Sequence, residues 1–305
     1  MLKRLYNVGL SCEKFYFQHK YIKQYKVIHT INRNMNTTIE TKGLLVKDIV
    51  TAINKFADTS LAASWDNVGL LIEPTEPNVV SRILLTNDLT EDVMDEAIKL
   101  KTNLIVTYHP LIFAPLKSIT NRSWKERIIA RCLKNDIAVF SPHTSFDAIR
   151  GGVNDWLAET FKLKNSEIIQ PNESDATYGF GRLCTLENRI TVDEAVNLVK
   201  QRTNLKHVRL ARARNTDGYI NTVAVCAGAG TSVLKGTFAD LYLTGEMLHH
   251  DVLDAIHLGI HVILTNHSDS ERGFLKVLAP MLEHQFQNLV EVRVSESDKD
   301  PLQTI

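Results

Sequence analysis

Cysteine is scarce and scattered. Four occur in 305 residues, Cys12, Cys132, Cys184 and Cys226, and no two form a CxxC pair. That spacing argues against a zinc knuckle and a disulfide scaffold, and it fits a reducing compartment. No run of 18 apolar residues is present, so no membrane-spanning segment is expected. A net charge is missing as well, because 35 Lys and Arg balance 35 Asp and Glu. Such a balance gives no direct nucleic-acid signal. The chain also lacks a GxSxG elbow, a P-loop and a GxGxxG fingerprint. Low-complexity tracts and short fixed-period repeats are absent too.

What remains is an ordinary globular composition. The hydrophobic share is 44% and the charged share 23%, which excludes global disorder. The length suits two domains or one large α/β domain, and it can bury a core without staples. Charge is unevenly placed: residues 1–38 hold seven basic residues and a single acid, Glu13. A basic, acid-poor start resembles a mitochondrial transit peptide, but its scarcity of Ser and Arg does not. Met35 offers a second start just before the globular pattern. Residues 1–42 are read as an N-terminal extension, either disordered or targeting.

From Leu44 onward, periodicity alternates between the two regular types. LLVKDIVTAINKFA puts apolar residues at helical spacing. RILLT, LIVT and IAVF read as short buried strands, separated by helices after Thr90 and Ser123. Strand–helix alternation is the signature of parallel βαβ units. The same rhythm resumes after a polar stretch at 164–177, which reads as a linker. The expected division is a first α/β domain over 43–165 and a second over 178–305.

Three apolar strands run out into His-containing turns: LIVTYHP, AVFSPHTSFD and HVILTNHSDSE. They supply His109, His143 with Asp147, and His267 with Glu271. In open α/β sheets, ligands sit at the carboxyl ends of strands. Each His–carboxylate pair is spaced i, i+4, so both side chains can share one face. Taken singly, a strand-end His is a capping or core hydrogen-bonder. Three together, two with carboxylates, read as a metal centre, and mixed imidazole and carboxylate donors suit Zn, Fe, Mn or Ni. A ligating His must be neutral, so metal affinity is expected to fall as pH drops through about 6.

Other segments are less informative. CAGAGTSV is a glycine-rich turn, read as packing or as an anion cradle. His249 and His250 are adjacent in GEMLHHD, so on a helix they point about 100° apart. With His143 they are candidates for a proton relay. Trp65, Trp124 and Trp156 read as core or interface anchors.

Several motifs in order carry a family resemblance: SWDNVGLLIE, TNDLT, YHPLIF, SPHTSFDAIRGGVNDWLA, GRLCTL, LTGEMLHHD, GIHVILTNHSDSERGFL and SESDKDPLQ. Over residues 44–305 the chain resembles the NIF-three-like family, also called GTP cyclohydrolase I type 2 homologues. The YHP and GEMxHHD wording is similar to that of animal members. The resemblance implies a two-domain α/β fold with a dinuclear metal site in the interdomain cleft. Its ligands would fall on His109, Asp147, His267 and Glu271, with His143 near the metals. One position departs, because Tyr108 stands where bacterial relatives carry a His. A neutral phenol is a poor ligand at pH 7, so Tyr108 is a neighbour of the ions or a substitute ligand, and the site holds one or two ions.

Two functions are carried forward. One is a metal-dependent hydrolase of an unknown small molecule, GTP cyclohydrolase-like only by family name. The other is a non-catalytic, partner-binding or transcription-regulatory protein with a structural or vestigial metal site. The resemblance also implies a homo-oligomer, with a hexamer as the usual assembly. A cytoplasmic location is expected, with mitochondrial and nuclear ones as alternatives.

Overall fold

Three consecutive apolar strands build the centre of the first sheet. A computed structural model describes residues 43–75 and 78–304. It also describes two short antiparallel strands, Val27–Ile28 (β1) and Glu40–Thr41 (β2). The remaining part of the 1–42 extension, and the expectation attached to it, lies outside the described residues. Leu44–Leu45 (β3) leads into the helix Val46–Phe56 (α1), which buries Val46, Ile49, Ala52 and Ile53 at the expected spacing. Then come Gly69–Ile72 (β4), Val79–Val80 (β5), Arg82–Thr86 (β6), Glu91–Lys99 (α2), Leu104–Thr107 (β7), Trp124–Lys134 (α3) and Ala138–Ser141 (β8). Thr90 and Ser123 cap α2 and α3 by accepting from backbone N–H groups of their first turns. β6, β7 and β8 are parallel, and all residues of β7 and β8 are buried. Helices on both faces explain why these strands read as unbroken apolar runs.

The chain continues through Thr144–Ala148 (α4), Val153–Ala158 (α5), Leu163–Pro171 (β9), Gly179–Thr191 (β10), Val192–Thr203 (α6), Arg209–Ala211 (β11) and Tyr219–Cys226 (β12). Thr231–Leu234 (α7), Leu241–Thr244 (β13), His249–His257 (α8), His261–Leu264 (β14), Leu275–Gln285 (α9) and Glu291–Val294 (β15) complete it. The second sheet has the order β11-β14-β13-β12-β10-β9, with β12, β13 and β14 parallel. The first has the order β15-β6-β7-β8-β4.

Two features differ from the sequence reading. Most of the presumed linker is strand: β9 pairs antiparallel along β10 from Leu163 to Pro171. Cross-strand pairing stabilises a polar segment whose own pattern is weak. The last strand, β15, leaves the second half of the chain and pairs parallel with β6 of the first sheet. Sheet membership therefore does not follow a plain split at 165 and 178. The core is continuous as well. One buried cluster runs from Ile83 and Phe140 through Phe146 and Phe274 to Val223 and Leu243. Trp156 lies in that core, but Trp65 and Trp124 do not; they are exposed.

Candidate metal centre

The carboxyl ends of the parallel strands in both sheets meet. Asn87 and Asp88 follow β6, Tyr108 and His109 follow β7, and His143 follows β8. From the second sheet, Gly228 follows β12, Glu246 follows β13, and Asn266 and His267 follow β14. This is where open α/β sheets place ligands. β7 ends at Thr107, so Tyr108 and His109 are free of strand alternation. Their rings lie 5.2 Å apart on the same side.

Three donors converge. One ligand atom from each of His109, His267 and Glu271 lies within 4.8 Å of the others. His109 Nε2 is 3.3 Å from Glu271 Oε2, and His267 Nε2 is 3.6 Å from Glu271 Oε1. The i, i+4 spacing of His267 and Glu271 thus brings both to one point, on 3-10 turns after β14. Each imidazole is oriented from behind. His109 Nδ1 pairs with Asp88 at 2.8 Å, and His267 Nδ1 pairs with Glu246 at 2.8 Å. A carboxylate on Nδ1 fixes the ring and leaves Nε2 as the outward donor. Glu271 is buried, and Asn87 Nδ2 donates to its Oε2 at 3.1 Å.

The site fits a divalent ion on its own terms. His109 Nε2 is buried and makes no well-aligned hydrogen bond; its ion-pair partner is Glu271 Oε2 at 3.3 Å, and an ion between them would meet both. Gly228 (φ +63) closes one wall. A Cβ there would stand 2.6 Å from Glu271 Oε1 and 3.2 Å from His267 Nε2. Two imidazoles and a carboxylate are a donor set for zinc or a neighbouring transition metal.

Charge is strongly coupled. Burial opposes a proton on His109, but the carboxylates of Asp88 and Glu271 outweigh it and raise its pKa to about 10. Burial would also raise Glu271, yet His109, His267 and Asn87 hold its carboxyl below the ordinary value. The metal-free site therefore stores its positive charge as a proton on His109.

Asp147 and His143 go elsewhere. The Tyr108 hydroxyl donates to Asp147 Oδ1 at 2.6 Å. Burial lifts the Asp147 carboxyl to about 7; the Tyr108 hydrogen bond opposes the rise and the Glu271 charge adds to it. Burial likewise raises the Tyr108 phenol well above its usual value, so it remains a neutral donor. Asp147 is not one of the three converging donors. His143 pairs through Nδ1 with the buried Asp66 at 2.7 Å, and its ring lies 5.3 Å from that of His109. Its backbone has a positive φ (35°), a strain often stored at functional sites. His249 and His250 are exposed at the start of α8, in contact with each other. None of the contacts around His109, His267 or Glu271 involves them.

Sequence reasoning missed Asp66, Asn87, Asp88 and Glu246, and it singled out the turn that holds Gly228 without assigning it to this site. A signal was available, because all but Asp66 lie just past a strand that ends in the cleft. Arg272 and Asp298 were missed with less to find them by. The Arg272 guanidinium pairs with Asp298 at 2.5 Å, and Asp298 also accepts from Asn87 N at 2.8 Å.

Known proteins are similar to this chain in sequence and in fold. The family model described as Duf34/NIF3 (NGG1p interacting factor 3) matches residues 44–301. NIF3-like protein 1 of Drosophila melanogaster is 46% identical, over 90% of this chain and 92% of its own length. NGG1-interacting factor 3 of Saccharomyces cerevisiae is 37% identical, over 83% and 95% respectively. Among solved structures, a hypothetical protein of Staphylococcus aureus superposes with a TM-score of 0.76. It shares 28% identity and covers 86% of this chain and all of its own.

Proposed function

The chain belongs to the Duf34/NIF3 family, and from that premise we propose that it is a metal-dependent hydrolase of a small molecule. The observation that carries the reading is the convergence of His109, His267 and Glu271, with Nε2 of both imidazoles facing the buried Glu271 carboxylate. His109, His267 and Glu271 would hold the ion, and three protein ligands is the number that catalytic zinc sites use. The ion would supply a water of lowered pKa and a Lewis acid for a substrate oxygen.

The protein supplies the rest. Asp88 and Glu246 hold the two imidazoles in their donor orientation. Glu271 turns Oε2 toward His109 and Oε1 toward His267, and Asn87 keeps it from rotating away. His143, braced by Asp66, is the group placed to carry a proton at the mouth of the site. His249 and His250 are too exposed for that role in this reading. Asp147 is occupied by Tyr108, so the reading assigns one tightly held ion per chain.

A second reading has its own support. The yeast relative is named as an interacting factor for NGG1, and the Tyr108–Asp147 hydrogen bond occupies a carboxylate that the family resemblance assigned to metal. On this reading the chain binds a transcription-related partner, and the ion is structural. The discriminating experiment measures metal in protein purified without chelators, then screens phosphoesters and nucleotides with Mn or Zn. Turnover that disappears together with bound metal in His267→Ala, at an unchanged far-UV spectrum, supports the hydrolase. Stoichiometric metal with no turnover sinks it in favour of the partner-binding role.

A further inference from the structure

Trp65 is 63% exposed and Phe113 is 48% exposed, yet the loops that carry them are firmly tied. Asp66, the next residue, accepts from His143 Nδ1 at 2.7 Å and from Thr144 Oγ1 at 2.5 Å. Asn67 Nδ2 donates to Ile112 O at 2.5 Å, which joins the Trp65 loop to the Phe113 loop. Ala63 N donates to Thr144 Oγ1 at 2.9 Å on the other side. Two large rings therefore stand in solvent on a braced base. Their centroids are 6.0 Å apart and their planes meet at 57°. Burying such rings is favourable, and leaving them wet forgoes that gain. Exposed apolar groups held in place mark a contact site more than a loose surface loop does.

Their position narrows what makes the contact. The Trp65 ring lies 6.0 Å from His143, and His143 lies 5.3 Å from His109. The aromatic pair thus borders the mouth of the metal centre, two ring-to-ring steps from a metal donor. A molecule seated on it can reach the centre with its other end. Small-molecule sites join an apolar wall to a few convergent polar groups.

We propose that Trp65 and Phe113 form a stacking subsite for a planar heteroaromatic ring, carried by a small molecule whose polar end reaches the His109–His267–Glu271 centre. The braced base means that little ordering is required on binding. Recognition through the ring face tolerates different heterocycles, because each presents a π-face. What happens to the ligand afterwards rests on the hydrolase reading; its binding does not.

The test is calorimetric titration of the zinc-loaded full chain with adenosine 5′-monophosphate, and with ribose 5-phosphate as the ring-free control. The nucleotide is expected to bind at least about 10-fold more tightly than the control. Trp65→Ala and Phe113→Ala should each weaken nucleotide binding by about 10-fold, Trp65→Phe should restore most of it, and zinc content should not change. No nucleotide binding, equal binding by wild type and Trp65→Ala, or equal affinity for ribose 5-phosphate overturns the subsite. A Trp65→Ala variant that changes only the oligomeric state also overturns it, assigning the pair to a subunit contact. Trp65-dependent binding keeps the subsite whether or not the nucleotide is hydrolysed; the hydrolase reading stands or falls on the substrate screen with His267→Ala.

Discussion

At the scale of single residues, the proposed reading makes Tyr108 the limit on how many ions the centre holds. Its neutral hydroxyl caps Asp147 at 2.6 Å and takes that carboxylate out of the donor set. Replacing it with an imidazole would free Asp147 and add a nitrogen donor. Wild type should hold one tight ion per chain, and Tyr108→His should move this toward two. Elemental analysis after identical loading with Zn or Mn decides the matter, and two tight ions in wild type would refute it. Asp147 carries a second consequence. Its folded-state pKa of about 7 lies above the ordinary 3.8, so the folded chain binds this proton more tightly than the unfolded chain. The associated stability is complete below about pH 4 and is lost as pH rises through about 7. In metal-free protein, Asp147→Asn should be more stable than wild type at pH 9, by on the order of 1 kcal/mol after allowance for partial exposure. That advantage should vanish near pH 4. Thermal unfolding in chelator at both values checks it, and an equal difference at both would show that the carboxyl is not under strain.

Single elements cooperate at the next scale, and the segment after β15 is the clearest case. The buried carboxylate of Asp298 accepts from Asn87 N at 2.8 Å and Asp88 N at 3.4 Å, and it pairs with Arg272. Asn87 holds Glu271, and Asp88 holds His109. The tail thus braces the loop that orients two of the three donors. Asp298→Ala leaves Arg272 without its closest carboxylate and two backbone donors without their acceptor. It should cost about 3 kcal/mol in stability and weaken zinc binding about 10-fold. Denaturant unfolding and a chelator competition titration measure the two effects separately. Unchanged zinc affinity would reduce the tail to a purely structural role. Gly228 illustrates why its glycine-rich turn was hard to interpret from sequence: it reads as a packing turn or an anion cradle, yet it walls the metal site, where no side chain fits.

For the whole molecule, the proposed centre makes ion uptake and protonation one process. The ordinary imidazole value places proton competition near pH 6. Asp88 and Glu271 instead raise His109 to about 10, against the opposing effect of burial. In the metal-free chain this proton adds stability that is full below about pH 6.5 and lost as pH rises through about 10. An incoming ion at pH 7 must displace it. Zinc binding should therefore release about one proton from His109, and affinity should keep rising with pH well beyond 7. Calorimetry in buffers of different ionisation enthalpy reads the proton count directly. A count of zero at pH 7 would exclude His109 as a ligand.

Local physics made the elements legible. The apolar strands β6, β7 and β8, the caps Thr90 and Ser123, and the helical spacing in α1 follow from short-range pattern, so the α/β class could be read from the chain alone. The i, i+4 pair His267–Glu271 was readable for the same reason, because four residues span about one helical turn. Its twin, His143–Asp147, has the same spacing and a different outcome. Asp66, 77 positions from His143, captures the imidazole, and Tyr108, 39 positions from Asp147, captures the carboxylate. The pairing of β15 with β6 and the bracing of His109 by Asp88 are likewise contacts between segments distant in sequence. Sequence periodicity records which face of an element is apolar and where the element ends. It does not record which distant partner meets that end, and at this centre the partners decide which donors are available to the ion.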